Sequence, residues 1–101
     1  MKTYQITIQR AGLIMRVPVK GKKCCEYLTE EFPGLVLFVH RNYTYPDKFT
    51  VSDALTGARI TGYSNTQKSA ESEAAITLIR KGTMEIRKCQ EEFMIANNIA
   101  V

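Results

Sequence analysis

Long hydrophobic runs are missing from the sequence. A helix that crosses a bilayer needs about 20 consecutive apolar residues, and no stretch of the 101 residues approaches that length. The N-terminus alternates polar and apolar residues from Thr3 and lacks the apolar block of a signal peptide. We therefore expect a cytoplasmic protein, and the chain length suits a single domain.

Cysteine and histidine are scarce, with three cysteines (Cys24, Cys25 and Cys89) and one histidine (His40). An odd cysteine count with two adjacent members excludes a fully paired disulfide framework and favours a reducing compartment. The cysteines also lack the two-residue gap that lets a pair wrap around one zinc ion. We therefore expect no metal site and no cofactor, and we expect the cysteines to be buried as small hydrophobic residues.

Catalytic motifs are missing as well. The chain has neither a G-x-S-x-G nucleophile turn nor a glycine-rich phosphate loop, and His40 has no nucleophile or carboxylate at a motif spacing. Cysteine chemistry is an alternative, because Lys22 and Lys23 beside Cys24 near a predicted helix start could lower the pKa of a thiol. We expect a non-enzymatic protein without a small-molecule substrate.

Acidic residues are absent from the first 25 positions, which carry six basic residues: Lys2, Arg10, Arg16, Lys20, Lys22 and Lys23. Because the net charge of the whole chain is +4, the remaining residues sum to −2. Such an asymmetry can mark a face for an acidic partner, either nucleic acid or an acidic protein surface. Exposed lysines can equally protect a sheet edge from pairing with other chains.

The first 20 residues predict a β-hairpin. Apolar residues alternate with others on both sides of a turn at 10–12: Tyr4, Ile6 and Ile8 before it, and Leu13, Met15, Val17 and Val19 after it. Pro18 places the second strand at an edge of the sheet, because proline has no backbone N–H to donate.

The spacing of apolar residues changes after the hairpin. Apolar residues three or four positions apart predict a short helix over 22–32, which ends at Pro33-Gly34. The continuous apolar run 35–39 predicts a central strand covered on both faces. Two further strands are expected over 49–52 and 58–63, joined by a turn at 53–57.

The last third of the chain predicts helices. Thr66 is the expected N-cap of a helix that starts at Gln67. An unbroken helix from there to Ala96 would be about 45 Å long, which is too long for a domain of this size. We therefore expect a break at Lys81-Gly82-Thr83, with Thr83 capping a C-terminal helix over 83–97 that ends at Asn97-Asn98. The predicted fold class is α+β, with an antiparallel sheet of about five strands and helices on one face.

The expected order helix, three strands, helix over 22–80 resembles a double-stranded-RNA-binding domain. The stretches PDKFTVSD at the second strand and GYSNTQKSAESEAA at the last helix carry this resemblance. It implies that small residues pack on the sheet and that lysines at the helix start contact phosphates. The matching residues are Ala70, Ala74 and Ala75 for packing and Lys68 for phosphate contact. Gln67 and Glu71 stand where basic residues are usual, and a carboxylate there would repel phosphates.

The strand FTVSD, the T-G turn and the helix start NTQKSA also resemble small accessory proteins of bacteriophages and prophages. In its size and lack of catalytic motifs, the chain is similar to anti-defence inhibitors such as anti-CRISPR proteins. This resemblance implies a location in the cytoplasm of a bacterial host and a host or phage protein complex as partner.

Three surfaces are candidates for binding. The first combines tyrosines with basic residues, a composition common both in protein interfaces and in surfaces that stack on bases: His40, Arg41, Tyr43, Tyr45 and Lys48. The second is the basic hairpin. The third is the C-terminal helix, which has more apolar residues than one narrow stripe can bury: Met84, Ile86, Phe93, Met94 and Ile95.

The excess of apolar residues on a terminal helix favours docking against another chain. We therefore predict a protein-binding accessory module that binds its partner through the first of these surfaces together with Met84, Phe93 and Met94. A homodimer through the C-terminal helix is one form of this prediction. The alternative is a domain that binds double-stranded RNA or DNA. Its contacts would come from Arg10, Arg16, Lys20, Lys22, Lys23, Arg41, Lys48 and Lys68.

Overall fold

Two antiparallel strands open the chain. The computed structural model describes residues 1–28, 32 and 34–96. Strand β1 (Lys2–Arg10) pairs with β2 (Leu13–Cys24), with a register that runs from Lys2 opposite Gly21 to Arg10 opposite Leu13. The predicted hairpin is confirmed, but its second strand is longer than the alternating pattern indicated.

Strand β2 is an inner strand of a four-stranded antiparallel sheet, and it pairs with β1 on one side and with β3 (Leu37–Arg41) on the other. Beyond its pairing with β1, its segment 21–24 pairs with β3, and β3 pairs in turn with β4 (Phe49–Asp53). The strand order is β1-β2-β3-β4, so β3 is central as predicted. The prediction that β2 lies at an edge is corrected, because β2 is an inner strand. Among the described residues, the edge of β2 that faces β3 is unpaired at Pro18, since pairing with β3 starts only at Gly21.

The helix predicted over 22–32 does not start where the sequence indicated. Lys22, Lys23 and Cys24 are the last residues of β2, and Cys24 lies opposite Leu37. The first helical turn is a 3-10 turn at Glu26–Leu28. Strand pairing with β3 therefore overrides the helical spacing at the start of this segment. Residues 29–31 and 33, which belong to the predicted helix and its end, lie outside the described residues.

The fifth strand predicted over 58–63 is not confirmed. This segment meets β4 only at two isolated bridges, between Ser52 and Arg59 and between Phe49 and Ser64. Between these two bridges the segment 58–64 contains more residues than β4 does. The extra residues loop out of the sheet and interrupt the ladder of strand pairing. The RNA-binding-domain core predicted over 22–80 is accordingly not confirmed either.

The chain ends in a helical segment, Gln67–Ala96, which is broken at Gly82. Gly82 has φ 75° and ψ 164°, and it separates helix α1 (67–81) from helix α2 (83–96). The longest dimension of the molecule is 36 Å, less than the about 45 Å that 30 unbroken helical residues would span. The predicted break is confirmed, and position 97 and the predicted end at Asn97-Asn98 lie outside the described part of the chain.

The main hydrophobic core lies between the sheet and the helices. The N-cap of α1 is confirmed, because the Ser69 N–H donates to Thr66 Oγ1 at 3.1 Å. The alanines of α1 are buried as predicted and let the helix lie close to β3 and β4. The buried members of this core are Cys24, Leu28, Phe32, Leu37, Val39, Val51, Ala70, Ala74, Ala75, Leu78 and Ile86.

Candidate binding cleft

The sheet curls so that the hairpin reaches the turn after β4. The Thr7 N–H donates to the Gly57 carbonyl oxygen at 3.0 Å, and Thr7 Oγ1 donates to the Thr56 carbonyl oxygen at 2.7 Å. Gly57 has φ +74°, and a Cβ at this position would lie 2.7 Å from the Thr7 nitrogen. Only glycine fits this close approach without displacement of β1.

The turn that meets β1 is itself held by a buried carboxylate. Asp53 Oδ1 accepts the Leu55 N–H at 3.0 Å. Asp53 Oδ2 accepts the Thr56 hydroxyl at 3.2 Å and the Gln90 side-chain amide at 2.6 Å. Because Gln90 belongs to α2, this one carboxylate connects the turn to the C-terminal helix.

A second, smaller core forms on the sheet face that points away from α1. Phe38 is fully buried there, and its ring stacks on Tyr4 with a centroid distance of 4.1 Å. His40 packs against the same ring at 5.1 Å, and Ile6 is buried nearby on β1. This cluster supports the inner side of the curl.

A cleft of about 630 Å³ opens on this inner side. Its walls come from 6–9 of β1, from the loop 42–45 and from 57–59, and its floor is formed by His40, Thr50 and Ser52. Tyr63 and Phe93 complete the lining, and Arg59 is the one lysine, arginine or carboxylate residue among the lining residues that the structure describes. A concave site with aromatic walls and a few placed polar groups is the usual form of a binding site.

The polar groups of the floor are bonded to one another. His40 Nδ1 lies 2.7 Å from the Arg41 carbonyl oxygen, which can only accept, so Nδ1 carries the proton. In the neutral ring Nε2 then accepts from the Ser52 hydroxyl at 2.7 Å. Burial lowers the pKa of His40, which keeps the ring neutral. Ser52 is only 1% exposed, so we assign this pair the role of fixing β3 to β4.

The buried histidine predicts a pH-dependent stability. The unfolded chain protonates His40 near pH 6.5, whereas the folded chain, with its lowered pKa, does not. Stability is therefore complete above this pH and falls as the pH drops below it, by at most about 1.4 kcal/mol per pH unit for one proton. Urea unfolding between pH 7.5 and 5.5 measures this loss.

His40→Gln is the matched variant for this measurement, because His40 is the only histidine in the chain. We expect its free energy of unfolding to vary much less over the same pH range. Equal pH dependence in both proteins would contradict a neutral buried His40.

Three tyrosines stand at the rim of the cleft. Tyr43, Tyr45 and Tyr63 are 42%, 49% and 51% exposed, and all three line the opening. The rings of Tyr45 and Tyr63 meet with a centroid distance of 4.9 Å and an angle of 50°. We call these three residues the tyrosine rim.

The loop that carries two of these tyrosines is fixed by its own hydrogen bonds. Asn42 Oδ1 accepts the N–H groups of Thr44 and Tyr45, each at 2.9 Å, and Asn42 Nδ2 donates to Thr50 Oγ1 at 2.9 Å. Arg41 Nη1 donates to the Pro46 carbonyl oxygen at 2.9 Å. Tyr43 and Tyr45 of the tyrosine rim are therefore presented by a preorganised loop.

The structure separates the residues predicted to bind a partner. Tyr43 and Tyr45 lie at the rim, and the buried His40 lies on the floor. Three others are placed elsewhere: Lys48 is half-buried and donates to Asn65 Oδ1, Met94 is buried, and Met84 is 87% exposed on α2. Phe93 is half-buried and lines the cleft, and Arg41 lies on the opposite side of the sheet.

The basic residues predicted to bind nucleic acid do not share one face. Lys20, Lys22 and Arg41 line a separate pocket on the helix side, whereas Lys23 points to the other face of β2. Arg16 is exposed on β2 and Lys68 in the first turn of α1. Arg10 is the last residue of β1, and its side chain is not described.

Cys24 is buried in the core as predicted for the cysteines, whereas Cys25 and Cys89 are only half-buried. Burial, followed by the neighbouring Cys25, raises the pKa of the Cys24 thiol, the opposite of the activation considered from Lys22 and Lys23. Within 1–28, 32 and 34–96, no three His, Cys, Asp or Glu side chains form a group that could hold a metal. No helix in this part of the chain is long and apolar enough to cross a membrane.

Comparisons of the chain with family models, with curated proteins and with solved structures find no match. The site therefore has to be interpreted from its own residues. Sequence reasoning missed several of them, including Asn42, Thr50, Ser52, Arg59 and Tyr63. The available signals were the alternation along FTVSD, which turns Ser52 to the same face as His40, and an Asn-x-Thr-Tyr segment that favours a side-chain-capped turn.

Proposed function

We propose that the chain is a non-enzymatic protein-binding module whose cleft and tyrosine rim receive a segment of the partner. The observation that carries this proposal is the exposure of three tyrosines at the mouth of a cleft, two of them on a fixed loop. Tyrosine is among the residues that dominate binding energy in protein interfaces. It offers a large contact area for the loss of only two side-chain torsions.

Preorganisation of the loop that carries Tyr43 and Tyr45 supports a role of the tyrosine rim in binding. A loop that is already ordered loses less conformational entropy on binding than a mobile one. The bonds from Asn42 and Arg41 hold the loop in place before any partner arrives. The affinity of the rim then depends on its contacts and not on the folding of the loop.

The charge of the cleft indicates the chemistry of the partner. Arg59 is exposed and is the charged residue of the described lining, since His40 is neutral. The segment that enters the cleft should therefore be extended and mostly uncharged, with an acidic group that reaches Arg59. Following the resemblance to small phage accessory proteins, we propose that this segment belongs to a bacterial host or defence protein that the module inhibits.

The C-terminal helix offers less for docking than the sequence indicated. Ile86 and Met94 complete the core, and of the five apolar residues counted on this helix, Met84 and Ile95 are the exposed ones. These two residues lie on one side of α2, because eleven positions correspond to about three helical turns. The charged Lys88 and Glu91 stand between them. This mixture of apolar and charged residues favours the cleft as the binding site over a homodimer interface on α2.

The proposal predicts that Tyr45→Ala weakens partner binding about tenfold, or roughly 1.4 kcal/mol. The tagged chain would first be used to isolate a partner from a nuclease-treated bacterial lysate. The affinity of the purified partner for the wild-type chain and for each variant would then be measured by calorimetry. Tyr63→Ala should give a similar loss, and the two losses should not add, because the rings touch each other.

Ile79→Ala is the matched control, since Ile79 is a large exposed residue of α1 that does not line the cleft. We expect it to keep the wild-type affinity. A loss in Ile79→Ala with none in the tyrosine variants would move the interface to the helices and refute the proposal. Phe93→Asp is unsuitable for this purpose, because Phe93 is half-buried and its loss would also disturb packing.

A further inference from the structure

A second concave site opens on the helix side of the sheet and shares His40, Asn42 and Tyr43 with the lining of the cleft. Its volume is about 340 Å³, and it opens where β2 and β3 meet the start of α1. Lys20 and Lys22 of β2 and Arg41 of β3 line it, together with Gln67, the first residue of α1. We call it the basic pocket.

The electrostatics of the basic pocket favour an anion. Three cationic side chains line it, and none of its described lining residues is an aspartate or glutamate. Charges of one sign repel each other when they converge, so the arrangement is more favourable with a bound anion. The positive end of the α1 dipole at Gln67 adds to the same field.

The cationic groups differ in how firmly they are held. Arg41 is fixed, because one of its nitrogens donates to the Pro46 carbonyl oxygen at 2.9 Å and its guanidinium lies 5.3 Å from the centre of the Phe49 ring. Lys20 Nζ donates to Thr3 Oγ1 at 2.7 Å. The exposed Lys22 amine makes no hydrogen bond within the part of the chain that the structure describes. Within the described residues, the Lys22 amine is therefore not engaged in a hydrogen bond that a bound anion would have to replace.

The walls of the pocket indicate more than a simple ion. Tyr43 lines it and offers an aromatic surface, and the side-chain amides of Asn42 and Gln67 can donate or accept. Cationic groups next to an aromatic ring are the usual means of binding a phosphate that is attached to a base or sugar.

We propose that the basic pocket binds a phosphate-bearing ligand, with the phosphate held by Lys22 and Arg41. The ligand is either a free nucleotide or a phosphate of a polynucleotide strand, and both offer the same chemistry to the pocket. The basic pocket shares His40, Asn42 and Tyr43 with the cleft, whereas Lys22 lines only the basic pocket and Tyr45 lines only the cleft. Variants at these two unshared residues therefore test the phosphate site and the proposed protein partner independently.

The test compares two adjacent lysines. Lys22→Ala removes a pocket lysine, whereas Lys23→Ala removes the same charge one position away on the opposite face of β2. Titration calorimetry at low salt would use inorganic phosphate, adenosine monophosphate and a short single-stranded oligonucleotide as probes. We expect saturable binding of at least one of them, weakened about tenfold by Lys22→Ala and less than twofold by Lys23→Ala.

The probes also distinguish the two sources of phosphate. Binding of the mononucleotide with no gain for the oligonucleotide would assign a free nucleotide, and much tighter, salt-sensitive binding of the oligonucleotide would assign a strand. Equal losses of affinity in both variants would mean that only the overall charge of the chain matters, and this would overturn the proposal. It would equally be overturned if none of the three phosphate probes bound. Urea unfolding of both variants checks that they remain folded.

Discussion

Gly57→Ala is expected to lower the free energy of unfolding by roughly 3 kcal/mol. Two effects add at this position. Its φ of +74° is unfavourable for alanine, and the new Cβ would lie 2.7 Å from the Thr7 nitrogen and 2.8 Å from Thr7 Oγ1. Both Thr7 atoms belong to backbone or to a bonded hydroxyl, so β1 has to move away and the hydrogen bonds that close the curl are lost.

Gly12→Ala separates these two effects. Gly12 has nearly the same φ, +77°, but a Cβ there meets nothing within 4 Å. We expect a loss of only about 1 kcal/mol, which corresponds to backbone strain alone. Urea unfolding of both variants gives the comparison, and equal losses would mean that the contact between β1 and the turn after β4 is absent.

Phe38→Ala is expected to cost about 3–5 kcal/mol, the range for a large aromatic residue removed from a core. Phe38 is the largest of the fully buried side chains, and it contacts both Tyr4 and His40. Its loss leaves a cavity between the hairpin and β3. The cleft should lose its support as well, so binding of the partner should weaken even where the variant remains folded.

A double-mutant cycle with Tyr4→Ala measures the stacked pair directly. If the rings pack as described, the double variant should lose less stability than the two single variants together, with a coupling of about 0.5–1.5 kcal/mol. Thermal or urea unfolding of the four proteins provides the values. Strictly additive losses would show that Tyr4 does not cover Phe38.

The sequence correctly predicted those parts of the fold that depend on residues close together in the chain. Alternation gave the hairpin, the hydroxyl of Thr66 gave the start of α1, and Gly82 gave the break between the helices. Each of these features depends on residues within a few positions of one another, and the pattern is therefore readable without the tertiary structure.

The errors arose where distant pairing decides the conformation. Cys24, Leu28 and Phe32 have helical spacing, but Cys24 pairs with Leu37 and stays in β2. The segment 58–64 has the composition of a strand, but its surplus residues break the ladder beside β4. In the first case strand pairing overrode the helical spacing at Cys24, and in the second the surplus residues prevented a strand-like segment from pairing continuously.

The cleft could be predicted only in part. Tyr43 and Tyr45 were singled out from their place among basic residues, and the structure gives them a common rim with Tyr63. The concavity itself depends on the contact between Thr7 and Gly57, which are 50 positions apart in the chain. No periodicity in either segment indicates that contact, and the same holds for the meeting of Lys20, Lys22 and Arg41 at the start of α1.

Hydroxyl-radical footprinting of the complex with the isolated partner tests the central claim most directly. It reports which side chains a partner shields from solvent, without any substitution. We expect strong protection of Tyr43, Tyr45 and Tyr63, and unchanged oxidation of Met84 and Ile79 on the helices. Protection of the two helix residues, with the three tyrosines still as reactive as in the free chain, would contradict the assignment of the cleft as the binding site.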